Sequence, residues 1–241
     1  VILLFTDFGA AGPYVGQMRA VLSRAVPEVP AVELMSDAPA FDAKASAYLL
    51  AAFAQLMMPG DVCVAVVDPG VGGTRDALVL KADGCWFVGP DNGLLAITAR
   101  HAKEVRWWRI DWRPKTLSAS FHGRDLFAPV ASRLVKGEKL PGELLEDGAT
   151  VGGDWPDDLA EIIYLDHFGN AMTGLRANVL CEDTRLKVSG RELVRERTFS
   201  DVPDGTAFWY ENANGLAEVA VNGRSADKAL ALAVGNAVWV C

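Results

Sequence analysis

The segment Val62-Cys63-Val64-Ala65-Val66-Val67-Asp68-Pro69-Gly70-Val71-Gly72-Gly73-Thr74-Arg75 decides the architecture. Its first six residues form an apolar run of strand length, and Asp68 then stands at the carboxyl end of a buried strand. In open α/β sheets that edge is where ligands bind, so Asp68 is a reactive-site candidate. Gly70, Gly72 and Gly73 let the chain turn sharply and bring Arg75 back towards the acid. A plain strand-ending Asp-Pro-Gly turn accounts for every one of these residues except Arg75.

On either side of this segment, strands alternate with helices. Ile2 to Phe5 and Ala31 to Met35 read as strands, and Tyr14 to Val26 as a helix. Asp42 is placed to cap a long helix running through Met58, with Pro59-Gly60 stopping it. Ala77 to Lys81 and Cys85 to Val88 form a hairpin around Ala82-Asp83-Gly84. A helix from Leu94 to Ala102, a strand from Val105 to Ile110 and a helix from His122 to Val135 follow. This alternation predicts a layered, mostly parallel α/β sheet over residues 1–150. Lys136 to Pro156 is rich in Gly, Pro and acid and has no strong period. Beyond it lie short β-like segments: Ile162 to Leu165, Leu186 to Val188, Ala207 to Tyr210, Ala217 to Val221 and Ala237 to Val240. Asn222-Gly223 and Ser189-Gly190 read as tight turns. A smaller β-barrel-like domain is therefore expected over residues 157–241.

Composition narrows the function. The 241 residues are 51% hydrophobic, enough to bury a large core, and the formal net charge is −8. An acidic chain argues against nucleic acid as a partner and is compatible with a cationic ligand. No apolar run reaches membrane-spanning length, and no signal-peptide pattern is visible. The sequence begins inside a strand pattern, so a few natural residues are expected to precede Val1. Cys63, Cys85, Cys181 and Cys241 form no Cys-x-x-Cys pair, which suits a reducing cytoplasm. His101, His122 and His167 are too scattered for a metal site.

Asp7, in Thr6-Asp7-Phe8-Gly9, ends the first strand on the same sheet edge as Asp68. A carboxylate there accepts both hydrogen bonds of a ribose diol, or caps the helix at Tyr14. Asp7-Phe8-Gly9 with His122-Gly123-Arg124-Asp125 superficially suggests a protein kinase, but the order is reversed and the Gly-rich loop is missing. Asp68 to Thr74 lacks the Gly-Lys-Ser/Thr of a Walker motif. His122 opens a helix, where the dipole disfavours the imidazolium and leaves a neutral ring able to orient water; a structural cap is the alternative. Asp166-His167-Phe168-Gly169-Asn170 offers an acid, an amide and an aromatic suited to an amine and a flat ring, or simply a turn.

Taken with Pro13-Tyr14-Val15-Gly16, Gly89-Pro90-Asp91-Asn92-Gly93 and Ala220-Val221-Asn222-Gly223, these segments stand in the order of one family. The chain resembles the S-adenosylmethionine (SAM) hydroxide adenosyltransferases, adenosine-forming SAM hydrolases related to the fluorinase and chlorinase. The resemblance implies hydrolysis of SAM at ribose C5′, with SAM as substrate and no cofactor. It also implies a homotrimer whose sites are shared between neighbouring subunits. Asp68, Arg75 and His122 match the set beside C5′: Asp68 and His122 accept the hydrogens of an attacking water, and Arg75 orients Asp68. Asp7 matches a ribose contact. Phe41, Phe168 and Phe199 match positions enclosing adenine, and Asn170, Val221, Asn222 and Gly223 adenine- or ribose-side contacts. Asp166 and Glu218 match positions near the methionine amine, with Tyr210 a lesser candidate.

The fluorinase has Tyr where Asp68 stands and Ser where Gly123 stands. A carboxylate beside the nucleophile repels a halide and suits water. A chlorinase-like halogenase and a non-catalytic adenosine- or SAM-binding protein are the competing readings. Two positions depart from the family pattern: Gly12 replaces an acid, and Asn212-Ala213 replaces Asn-Ser.

Overall fold

The computed structural model describes residues 1–140, 142–149 and 151–241, and divides into two compact units, Val1–Trp155 and Pro156–Cys241. In the first unit the strands are β1 (Ile2–Thr6), β2 (Ala31–Met35), β3 (Val62–Val66), β4 (Ala77–Ala82), β5 (Cys85–Pro90), β6 (Val105–Ile110) and β7 (Gly142–Leu145). They form one seven-stranded sheet in the order β2-β1-β3-β5-β4-β6-β7. β1, β2, β3, β5 and β6 run one way, and β4 and β7 run against them.

Every residue of β1 and of β3 is buried, because helices cover both faces of the sheet. On one face, Met18 and Leu22 of α1 (Tyr14–Ala25) and Val130 of a helix at Ala128–Val135 share a core with Ile2, Leu4, Val64 and Val66. On the other, Phe5 meets Phe53 of α2 (Ala43–Ala54) edge-on, with ring centroids 6.1 Å apart. α2 packs in turn on α3 (Ala96–His101). The chain leaves β1 towards β2 and leaves β3 towards β5, so the neighbours β1 and β3 flank a topological switch point, the usual ligand crevice of such sheets.

Several local expectations shift. Asp42 caps α2, accepting from Ala45 N at 2.9 Å, but the helix ends at Ala54 rather than Met58. Leu56 and Met57 close only i→i+3 bonds, because Pro59 bars its predecessor from helical geometry. The helix expected from His122 is a π-helical turn over Gly123–Phe127 that runs into α4 (Ala128–Val135). Pro129 has no N–H for the Asp125 carbonyl, and the wider turn accommodates its ring. β7, inside the stretch without a period, exists because it pairs with β6. At the hairpin tip, Asp83 and Gly84 have φ +47° and +85°, as a two-residue primed turn requires.

The second unit contains β8 (Leu159–Leu165), β9 (Ala171–Arg176), β10 (Leu186–Val188), β11 (Arg191–Leu193), β12 (Ala207–Glu211), β13 (Leu216–Val221), α5 (Ala226–Leu230) and β14 (Trp239–Val240). Two antiparallel sheets, β12-β13-β9-β8 and β11-β10-β14, share one core around the fully buried Trp209. Isolated bridges Glu161↔Ala237 and Arg195↔Trp209 join the sheets at both ends into a barrel-like ring. β9, β11 and α5 were not legible as separate elements in the sequence. Ser189 and Gly190 turn with φ +48° and +76°, whereas at Asn222-Gly223 only the glycine has positive φ.

Candidate functional site

Asp68 leaves the end of β3 beside the switch point. Its carboxylate takes a two-pronged pair from Arg75: Nε donates to Oδ1 at 2.8 Å, and Nη2 donates to Oδ2. Arg75 Nη2 also lies 3.0 Å from Nδ1 of His122, and Arg75 Nη1 donates to the Asp76 carbonyl at 3.1 Å. Both Asp68 and Arg75 are nearly buried. The loop between them packs closely on the Ala119 backbone: a Cβ at Gly72, where φ is +79°, would lie 2.4 Å from the Ala119 carbonyl oxygen. The predicted return of Arg75 to Asp68 is therefore present, and His122, far along the chain, joins them.

The contact determines the state of the imidazole. Guanidinium nitrogens only donate, so Nδ1 must be the unprotonated, accepting nitrogen, and the neutral ring carries its hydrogen on Nε2. Burial chiefly, and then the Arg75 cation, hold the His122 pKa below the ordinary histidine value, outweighing Asp68. Nε2 is thus a donor, so the neutral ring cannot accept a hydrogen from water as the sequence reading proposed. The acceptor remaining in this trio is Asp68, whose oxygens keep lone pairs beyond those used by Arg75.

His122 and Asp68 line a cavity of about 730 Å³ together with Asp7 and Phe41. Asp7 does not cap α1, whose N-cap is Pro13 with no side-chain bond. Instead its Oδ2 accepts from Phe41 N at 3.1 Å, and burial, its largest influence, pushes its pKa up. Phe41 holds φ +64° and is 79% exposed, a left-handed aromatic at the cavity that is strained relative to ordinary backbone. One wall, which sequence reasoning missed, is an edge-to-face trio of Phe8, Tyr14 and Phe121 with centroids 5.3–5.8 Å apart. Arg124, bonded to Gln17 Oε1 at 2.9 Å and paired with Asp125, lines it too. The aromatic spacing across Phe8 to Tyr14 was the available signal.

The remaining candidates lie in the second unit. Asp166 Oδ1 accepts from Phe168 N and Asn170 N, at 2.9 and 2.8 Å, and Oδ2 accepts from Asn170 Nδ2 at 3.0 Å. Phe168 is left 76% exposed on this turn. Glu218 is 2% exposed; Tyr210 Oη donates to Oε1 and Asn212 Nδ2 to Oε2, both at 2.6 Å. Burial, reinforced by Asp166, raises the Glu218 pKa, and burial raises that of Tyr210. Phe199 stacks edge-on with Phe208 and Tyr210 at 5.3 Å. Asn222 Nδ2 donates to the Val202 carbonyl at 2.8 Å, and a Cβ on Gly223 would lie 2.1 Å from Asp204 Oδ1, so Val221 to Gly223 form a tight turn.

Residues 2–142 match the SAM hydroxide adenosyltransferase N-terminal domain, and residues 160–239 match the SAM hydroxide adenosyltransferase C-terminal domain. The chain belongs to the SAM hydroxide adenosyltransferase family. Members similar to it include a protein of Salinispora arenicola, 39% identical over 98% of this chain and 95% of the relative, named (R)-S-adenosyl-L-methionine hydrolase. A Thermus thermophilus protein with the same name is 37% identical over 98% of each. A crystal structure of an uncharacterized conserved protein from Thermotoga maritima superposes over 100% of both chains with TM-score 0.90 at 29% identity. Among the described residues, no helix of this SAM hydroxide adenosyltransferase family member is long and apolar enough to cross a membrane, and no group of three or more His, Cys, Asp or Glu is arranged to hold a metal ion.

Proposed function

We propose that this chain hydrolyses SAM to adenosine and methionine. The observation that carries the reaction is the hydrogen-bonded set Asp68–Arg75–His122 on a cavity at the switch point. The oxygen of a water attacks C5′ as the C5′–S bond breaks. Its electron pair leaves with sulfur, so the cationic sulfonium departs as the neutral thioether of methionine. The water's proton passes to Asp68, and the oxygen becomes the 5′-hydroxyl of adenosine. Water is a poor nucleophile, with a pKa of about 15.7, so holding it in line matters; positioning of this kind can supply roughly 7–11 kcal/mol. In our reading His122 Nε2–H orients the water's oxygen and Arg75 fixes both neighbours. The leaving group is already activated, and the reaction needs neither metal nor cofactor.

Asp7 is assigned to the ribose and Phe41 to one side of the adenine. Residues 157–241 form the second domain, contributing Phe168, Phe199, Asn170 and Val221 to Gly223 to the nucleoside, and Glu218, Asp166 and Tyr210 to the methionine amine. We propose a homotrimer with sites shared between subunits and a cytoplasmic location. The names of the relatives support a preference for the R sulfonium epimer.

Incubating purified protein with each epimer and with chloride, then resolving products by chromatography, tests the reading. Adenosine and methionine are expected. 5′-Chloroadenosine would instead support a halogenase, and no turnover a binding protein.

A further inference from the structure

The segment Gly89-Pro90-Asp91-Asn92-Gly93 has no role in the chemistry above, yet it sits directly behind the reacting pair. A Cβ at Gly89 would lie 2.6 Å from the Ala65 carbonyl oxygen, so glycine lets the end of β5 close onto β3. Gly93, at φ +92°, turns the chain towards α3. Between them Asn92 reaches back across the sheet edge: Nδ2 donates to the Val67 carbonyl at 2.8 Å, one residue before Asp68. Its Oδ1 accepts from Leu94 N at 3.2 Å, which anchors the amide at its other end. The neighbouring Asp91 N–H donates to the Asp76 carbonyl at 3.0 Å, the same oxygen that takes Arg75 Nη1.

We infer that Asn92 is a positioning residue that holds Asp68 in register with Arg75 and His122. The 68–75 loop is rich in glycine and carries reacting groups at both its ends. The 91–92 turn grips it at Val67 on one side and Asp76 on the other. Without the Nδ2 donor the Val67 carbonyl loses its partner, and the carboxylate is free to drift. A displacement of about 1 Å at a reacting group costs on the order of 100-fold in rate. This inference rests on the hydrolase reading for its kinetic arm only.

The test compares Asn92→Ala with wild type, and adds Asn92→Asp, which retains the Oδ1 acceptor for Leu94 but replaces the donor. Both variants are expected to lose at least tenfold in kcat, with adenosine affinity within threefold of wild type. The imidazole nitrogen resonances of His122, read by NMR, are expected to move as its contact with Arg75 loosens. A residue that only stabilises the fold would lower the melting midpoint and leave kcat and the ring signals unchanged below it. If Asn92→Ala does not fold, Asn92→Asp carries the decision alone. Wild-type kcat within twofold, or unmoved His122 signals, in the folded variant overturns the inference. Absence of turnover in wild type would overturn the hydrolase reading instead, while the NMR comparison still decides the positioning.

Discussion

The two units hold their key carboxylates in opposite ways. Asp68, in the first, faces a guanidinium that grips both its oxygens, and a neutral imidazole completes the set beside a cavity. Glu218, in the second, is deeper, and its oxygens meet only neutral donors, Tyr210 and Asn212. Its nearby charge is another acid, Asp166, which adds to burial in raising its pKa. In our proposed reading Asp68 takes the water's proton, and the guanidinium fixes the orientation of its oxygens. In the same reading Glu218, which has no cation of its own, receives the ammonium of the ligand.

The largest expected break is Asp68→Ala. Removing the acceptor should cost about 10²–10⁴ in kcat, the range for a general base, with the circular dichroism spectrum unchanged. Near-normal turnover would remove Asp68 from the mechanism. Arg75→Lys keeps the charge but loses the fork that touches Asp68 and His122 together, so a fall of about 10–100-fold in kcat is expected. If kcat holds, charge alone matters and the two-pronged geometry does not.

His122→Gln sharpens the first unit's half of the comparison. Protonating Nδ1 abolishes its ability to accept from Arg75, so wild-type activity should fall as pH drops through the His122 pKa. Burial sets that point below the ordinary histidine value of about 6.5. Because the folded pKa is depressed, the unfolded chain binds the proton more readily. Stability should therefore also decline as pH falls below the unfolded value of about 6.5, until the folded group is protonated as well. The Gln variant should be slower and lack this acid limb; an unchanged profile would make His122 a structural residue.

The smallest effect is expected at Glu218→Gln, which preserves shape and removes charge. SAM affinity should weaken by about tenfold while adenosine, which has no ammonium, binds as before. Equal weakening of both ligands in calorimetry would reduce Glu218 to a structural role. Its raised pKa has the opposite sign to that of His122. Folding favours protonated Glu218, so its contribution is fullest below the ordinary carboxylate pKa and declines as pH rises.

Much of this was legible from residue order. The apolar runs at Ile2 and Val62, each followed by an acid, predict buried strands with Asp7 and Asp68 at one sheet edge. Local apolar patterning and turn residues are sufficient for that, because strand period and glycine geometry act over a few residues. The pairing of Arg75 with Asp68 was likewise foreseeable, since a short glycine-rich loop can close only so far. Other features depended on residues distant in the chain. The contact between Arg75 and His122 spans 47 positions, and with it came the imidazole tautomer on which the proposed role of Asp68 rests. The π-helical turn, the β6–β7 pairing and the bridges that close the second unit also arise from packing between segments. Sequence determined which groups stand at the sheet edge. Tertiary structure decided which of them touch, and a hydrogen bond's direction is set by the partner that folding brings to it.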